Sequence, residues 1–151
     1  MSIELRVNGK VRTVEADPAT PLIFVLRNDL HLKSPKLGCG LEQCGACKVL
    51  VDGEAVMSCV RPVGEFEGKE ITTIEAYDGA DPLQRAFLEH NAAQCGYCTS
   101  GILIGARALL DRNPHPGEAE IREALKDNLC RCGSHPRVLR AIRSVVDDAD
   151  A

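Results

Sequence analysis

Eight cysteines in two tight groups constrain this chain more than anything else in it. Cys39, Cys44 and Cys47 fall within one short loop and Cys59 follows, while Cys95, Cys98, Cys130 and Cys132 lie in the second half. Aromatic residues make up only 3% of the 151 positions and there is no Trp, so apolar burial rests on Ala, Val, Leu and Ile. Two half-size domains of that material are marginal without covalent or metal staples. The amino terminus shows no basic stretch leading into an apolar one, so no secretory signal is expected. In a reducing compartment, grouped cysteines read as metal ligands rather than disulfides. No apolar run approaches the roughly 18 residues of a membrane span. The chain therefore reads as soluble and cytoplasmic, with co-export alongside a partner left open. Eighteen Lys and Arg against 22 Asp and Glu give a net charge of −4, interspersed and without a basic block, which argues against nucleic acid as partner.

The coarse pattern is α+β. Residues 3–7 and 11–15 alternate about Asn8-Gly9, a type I′ hairpin signal, and Asp52-Gly53 joins a second pair of short strands at 48–51 and 55–58. Thr20 followed by Pro21 predicts an N-cap and a helix through Leu30, and Glu70 to Ile74 a further strand. From Asp81 onward the pattern is helical, with helices expected from Asp81-Pro82 to Asn91, Ser100 to Arg112, Gly117 to Asn128 and Ser134 toward Asp147. The turn-like Tyr77-Asp78-Gly79-Ala80 places the boundary between a domain at 1–76 and a helical domain at 80–151. No internal repeat relates the two halves.

The C-x4-C-x2-C spacing of Cys39, Cys44 and Cys47, with Cys59 beyond the hairpin, is the plant-type [2Fe–2S] arrangement. Two bridged irons need four thiolates, and one glycine-rich loop folded over them supplies three. Gly38, Gly40 and Gly45 are expected to free backbone N–H groups for the cluster sulfurs, which raises the reduction potential. A zinc site with four cysteine ligands is the competing reading, although zinc knuckles more often come as paired C-x2-C turns. The second group, C-x2-C with a distant C-x-C, is by itself ambiguous between zinc, a redox dithiol and an iron–sulfur centre. Its thiolates are expected at helix ends, where the dipole favours anions.

Taken together, Leu37-Gly-Cys-Gly-Leu-Glu-Gln-Cys-Gly-Ala-Cys47, Gln94-Cys-Gly-Tyr-Cys-Thr-Ser-Gly101 and Asn128-Leu-Cys-Arg-Cys-Gly133 resemble the small iron–sulfur subunit of the xanthine oxidase family of molybdenum hydroxylases. The resemblance covers nearly the whole chain. It implies a β-grasp, plant-ferredoxin-like domain holding one [2Fe–2S] cluster through Cys39, Cys44, Cys47 and Cys59. It also implies a four-helix domain holding a second through Cys95, Cys98, Cys130 and Cys132. By the same resemblance, Gln94 would contact a molybdopterin, of the cytosine dinucleotide form, bound by a large partner subunit, and Cys132 would be the ligand closest to it.

The ending Gly133-Ser-His-Pro-Arg137, Ser100 in place of a frequent proline, and Ser58-Cys-Val-Arg-Pro-Val-Gly64 resemble the isoquinoline 1-oxidoreductase and nicotinate dehydrogenase branch. That branch implies one large molybdenum subunit, no flavin subunit, and often a c-type cytochrome as acceptor; other branches of the family use a flavin subunit. Lys48 stands where the family commonly has Thr, and His135 reads as a helix-start residue contacting a partner. The function implied is an electron relay from molybdenum through both clusters to an external acceptor, during hydroxylation of an N-heteroaromatic or aldehyde. The histidines at 31, 90, 115 and 135 are scattered, and no catalytic set stands out on this chain. A free-standing two-cluster carrier and a zinc-stapled interaction module are the rival readings.

Overall fold

The computed structural model describes residues 1–149, so the last two positions of the expected helical domain lie outside the described residues. β1 (Ser2–Val7) and β2 (Lys10–Glu15) form the first hairpin, and β3 (Lys48–Val51) and β4 (Glu54–Met57) the second. Asn8 (φ 53°), Gly9 (φ 76°), Asp52 (φ 50°) and Gly53 (φ 84°) all adopt the positive φ that such two-residue turns demand. With β5 (Glu70–Thr72) these strands make one five-stranded sheet in the order β2-β1-β5-β3-β4. β1 and β5 run parallel and the other pairs antiparallel. The crossover between the hairpins carries α1 (Leu22–Phe24), which continues directly into a π-helical turn at Val25–Asp29. The sheet closes over this segment in a β-grasp, with Leu22, Val25 and Leu26 packed on Leu5, Val49 and Phe66.

The start of α1 corrects one expectation. Pro21, not Thr20, occupies the N-cap, and no side chain caps the helix. The end is held instead by strand-like pairing with the 61–63 segment. Leu22 N–H donates to Arg61 O (2.9 Å), Val63 N–H donates to Thr20 O (2.7 Å), and Pro21 bridges Pro62. These bonds satisfy groups that a cap would otherwise serve.

The second half comprises α2 (Pro82–Glu89), α3 (Thr99–Arg112), α4 (Glu118–Ala124) and α5 (His135–Ala149). α2 begins as expected, with Asp81 accepting from the N–H groups of Leu83 and Gln84 (3.1 Å each) and Pro82 in the first turn. α4 stops short of the expected Asn128, which lies in the loop beyond it. α3 is buried almost all round because it serves two cores. Ile102, Ala106 and Leu109 pack with Leu83, Ile121 and Ile142 of the helices, while Ile104 and Ala108 pack on Leu50 of β3. The second face is what docks the helical half onto the sheet. Among the described residues no helix is long and apolar enough to cross a membrane.

Candidate metal centres

The loop after the π turn brings the first cysteines together by backbone bonds. The N–H groups of Leu41 (3.2 Å), Gln43 (3.2 Å) and Cys44 (3.4 Å) donate to Cys39 Sγ, and Cys39 N–H donates to Cys44 Sγ (3.4 Å). The donors to Cys39 Sγ are thus Leu41, Gln43 and Cys44, from the stretch between Gly40 and Gly45. Gly38 serves by lacking a side chain, since a Cβ there would lie 2.6 Å from Cys44 Sγ. Slight burial raises the Cys39 pKa, but the three N–H donors outweigh it and pull the thiol down to about 7, against an ordinary 9.0. Cys47 and Cys59 are buried beside Ile23 and half-buried Met57. Burial, reinforced by the neighbouring Cys59, pushes the Cys47 thiol up to about 12. Ser58 Oγ donates to Cys47 O (2.7 Å) and locks the two strand ends in place.

The second group sits where loops meet helix ends. Cys98 is the N-cap residue of α3, and Cys130 and Cys132 lie in the loop before α5. Burial and the nearby Cys130 push the Cys98 thiol up to about 11. Partial burial raises Cys130, yet its hydrogen bonds to Ser134 (Sγ···Oγ 3.1 Å) and Cys98 outweigh this and bring it down to about 6. Cys95 is lowered by the Tyr97 N–H (3.5 Å) and by contact with Cys132. The four thiols thus interact with one another although 32 positions of chain separate Cys98 from Cys130. Gln94 is exposed in the bend just before Cys95. His135 opens α5 as expected, and its ring Nε2 is hydrogen-bonded with Asn128 O of the same chain (2.8 Å).

The two groups border one cleft of about 230 Å³, lined by Cys39, Cys44, Cys95, Cys98, Cys130 and Leu129 among others. Tyr97 Oη donates to Leu37 O (2.5 Å), Leu129 N–H donates to Cys44 O (2.9 Å) and Ser100 Oγ donates to Ser34 O, so the two loops are stitched to each other. The donor set fits two thiolate-ligated clusters. None of the eight cysteines is in a disulfide, and Gly38 leaves space beside Cys44 Sγ that a Cβ would fill. Next to Cys98 in sequence, the buried Thr99 hydroxyl has no hydrogen-bond partner among the described residues.

Residues 5–77 match the family described as "2Fe-2S iron-sulfur cluster binding domain", and residues 73–143 match the "[2Fe-2S] binding domain" family. A nicotinate dehydrogenase subunit of Pseudomonas putida is 50% identical over 149 residues, covering 97% of this chain and 95% of its own. This chain belongs to the iron–sulfur subunits of the xanthine oxidase family of molybdenum hydroxylases. The alpha subunit of isoquinoline 1-oxidoreductase from Brevundimonas diminuta is 45% identical over 150 residues, 97% of this chain and 99% of its own, so the branch read from the motifs holds. The crystal structure of quinoline 2-oxidoreductase from Pseudomonas putida 86 superposes with a TM-score of 0.92 at 37% identity, over 99% of this chain and 96% of that one. As a molybdenum hydroxylase iron–sulfur subunit, the chain is an oxidoreductase component that carries two [2Fe–2S] clusters and serves electron transfer. Sequence reasoning missed Asn128 and Lys48 as structural links between the two halves. The one signal present was a lysine opening an otherwise apolar strand.

Proposed function

We propose that this subunit relays electrons from a molybdopterin site on a large partner subunit through the Cys95/Cys98/Cys130/Cys132 cluster, then the Cys39/Cys44/Cys47/Cys59 cluster, to an external acceptor. The observation that carries this reading is two separate sets of four cysteines, one per fold unit, with Cys39 and Cys44 of the first and Cys95, Cys98 and Cys130 of the second lining a common cleft. Each cluster, once bound, takes up and releases one electron. The chain's own residues hold the thiols, aim N–H groups at Cys39 and exclude water around Cys47 and Cys59. Residues 1–76 and 80–151 act as the two cluster-holding units. Gln94, exposed beside Cys95, is the group that meets the pterin, a molybdopterin cytosine dinucleotide, with Cys132 the nearest ligand. The parent reaction is hydroxylation of an N-heteroaromatic, as relatives are named for nicotinate and isoquinoline, with water as the oxygen source. A c-type cytochrome is the favoured acceptor over a flavin subunit, and the complex is cytoplasmic.

The purified complex should contain about four irons per small subunit, as two [2Fe–2S] clusters require, with visible absorption that bleaches on reduction. Zinc in place of iron ends the relay reading. Cys95→Ser should remove one of two reduced-state EPR signals, and survival of both would refute the ligand assignment. Copurification with a chain several times larger supports the subunit role, whereas an isolated monomer supports a free-standing carrier.

A further inference from the structure

Lys48 is the most unusual side chain between the two halves. It directly follows Cys47, opens β3, and is only 6% exposed. Its Nζ donates to Asn128 Oδ1 (2.6 Å), and Asn128, 2% exposed, precedes Cys130 by two positions. Asn128 also reaches Gly45 O through Nδ2 (3.5 Å), next to the first cysteine loop. The protein makes room for this ammonium on α3. A Cβ at position 105 would press on Leu125 Cδ2 (3.2 Å) and Asn128 Oδ1 (3.3 Å) and touch Lys48 Nζ at ordinary contact distance (3.6 Å), so Gly105 spares the Lys48 partner this crowding in mid-helix, where glycine costs about 1 kcal/mol relative to alanine. Burial holds the Lys48 pKa below the ordinary 10.5, the charges of Asp127 and Cys47 offset this only in part, and no ion pair among the described residues includes Lys48. A cation buried without a carboxylate in contact is costly unless something else uses its field.

We propose that Lys48 is a positioning and tuning residue shared by the two cluster sites, its buried ammonium stabilising the more negative, reduced state of both. This rests on the two-cluster reading above. A cation in a low-dielectric interior acts over several ångströms with little screening by salt. Lys48 directly follows Cys47 and feels its charge, and the bond to Asn128 ties the ammonium to the segment that reaches Cys130 two residues on, so it is linked to one ligand of each set. Reduction adds one negative charge to a cluster, so a fixed positive charge linked to both ligand segments favours reduction at each. The same hydrogen bond holds the 45–48 segment against the loop before Cys130, which keeps the two sites at a set separation.

The test is an EPR-monitored redox titration of the whole complex, in the wild type and in Lys48→Met, Lys48→Gln and Lys48→Arg. Wild-type complex without two reduced-state cluster signals would fail the function reading itself, independently of Lys48. With both signals present, Lys48→Met should shift each one-electron reduction equilibrium at least tenfold toward the oxidised form, a fall of about 59 mV at each centre. Lys48→Arg should leave both within threefold of wild type. Lys48→Gln keeps a neutral donor for Asn128 and should fall with Lys48→Met, which carries the test if the Met variant fails to load clusters. The inference is overturned if either potential moves less than threefold in the neutral variants, or if Lys48→Arg shifts as far as they do.

Discussion

Close backbone approach, more than side-chain bulk, governs the joint between the cysteine loops. A Cβ on Gly101 of α3 would fall 2.0 Å from Gly45 O and 3.1 Å from Ala46 Cα, contacts that no rotamer relieves because both partners are main chain. Gly101→Ala should therefore cost about 3 kcal/mol or more, read as a lowered urea midpoint with an unchanged slope. A loss under about 1 kcal/mol would mean that α3 slides freely on the loop. Glu75 supplies a pH-dependent tie in the same region, since its carboxylate accepts from Ser34 N–H (3.0 Å) and Ser34 Oγ. Burial raises its pKa, but the Ser34 bonds outweigh this and hold it below the ordinary 4.5. A depressed carboxylate stabilises the fold above its unfolded value and loses that contribution as pH falls through the folded one. Glu75→Gln should cost about 0.5 kcal/mol at pH 7, small because the group is exposed and screened, and the difference should fade at an acid pH below its lowered folded value. Equal differences at both pH values would assign the effect to packing. At this scale the cysteines were legible because thiolate ligation forces their spacing, whereas Asn128 and Gly101 act across 83 and 56 positions of chain to Gly45, a relation no local pattern encodes.

Among the elements, the hairpins and α2 through α5 could be read from turn residues, caps and apolar spacing, because each signal is local. α1 could not. The apolar run Leu22, Ile23, Val25, Leu26 marks the buried face, but periodicity does not say whether a turn closes on the fourth or fifth residue back. Here Leu30 N–H reaches Val25 O (3.1 Å), a wide turn that follows three α-helical residues. The linker shows a different element-scale device. Asp81 caps α2 and also pairs with Arg107 of α3, whose guanidinium lies 5.5 Å from the Tyr77 ring. At 14% and 18% exposure this pair is shielded from water. Asp81→Ala removes cap and ion pair together and should cost about 2 kcal/mol, while Asp81→Asn keeps the capping oxygen and should cost about half as much. Thermal unfolding of both variants, alone and with Arg107→Met, separates the two contributions by a double-mutant cycle. Additivity of Asp81→Asn with Arg107→Met would show that the pair contributes nothing.

For the molecule as a whole, the question is whether the two cluster-holding units are coupled in stability, since an electron relay needs a fixed separation. Each half has its own core, one around Leu5, Leu22 and Phe66 and the other around Leu83, Ile102 and Ile142. Between them lies a third apolar cluster of Leu50, Ile104 and Ala108, flanked by Ala55 and Ile74. Ile104 is 1% exposed and belongs to the helical half by sequence, yet it packs with Leu50 and Ala55 of the sheet. Truncating it to alanine removes buried methylenes and leaves a cavity, at about 3 kcal/mol. If the halves were independent, that loss would fall on α3 and its helical neighbours alone. Because the cavity opens against β3, and because Lys48, Gly45 and Asn128 lock the same joint, the loss should be shared. Native-state hydrogen exchange decides the matter. In Ile104→Ala the amides of Leu5 and Val49 in the sheet should lose protection in step with that of Ile142 in α5, as expected when both open in one cooperative unit. Sheet amides that keep their wild-type protection would mean two units merely in contact, and the spacing of the clusters would then have to be held by the partner subunit.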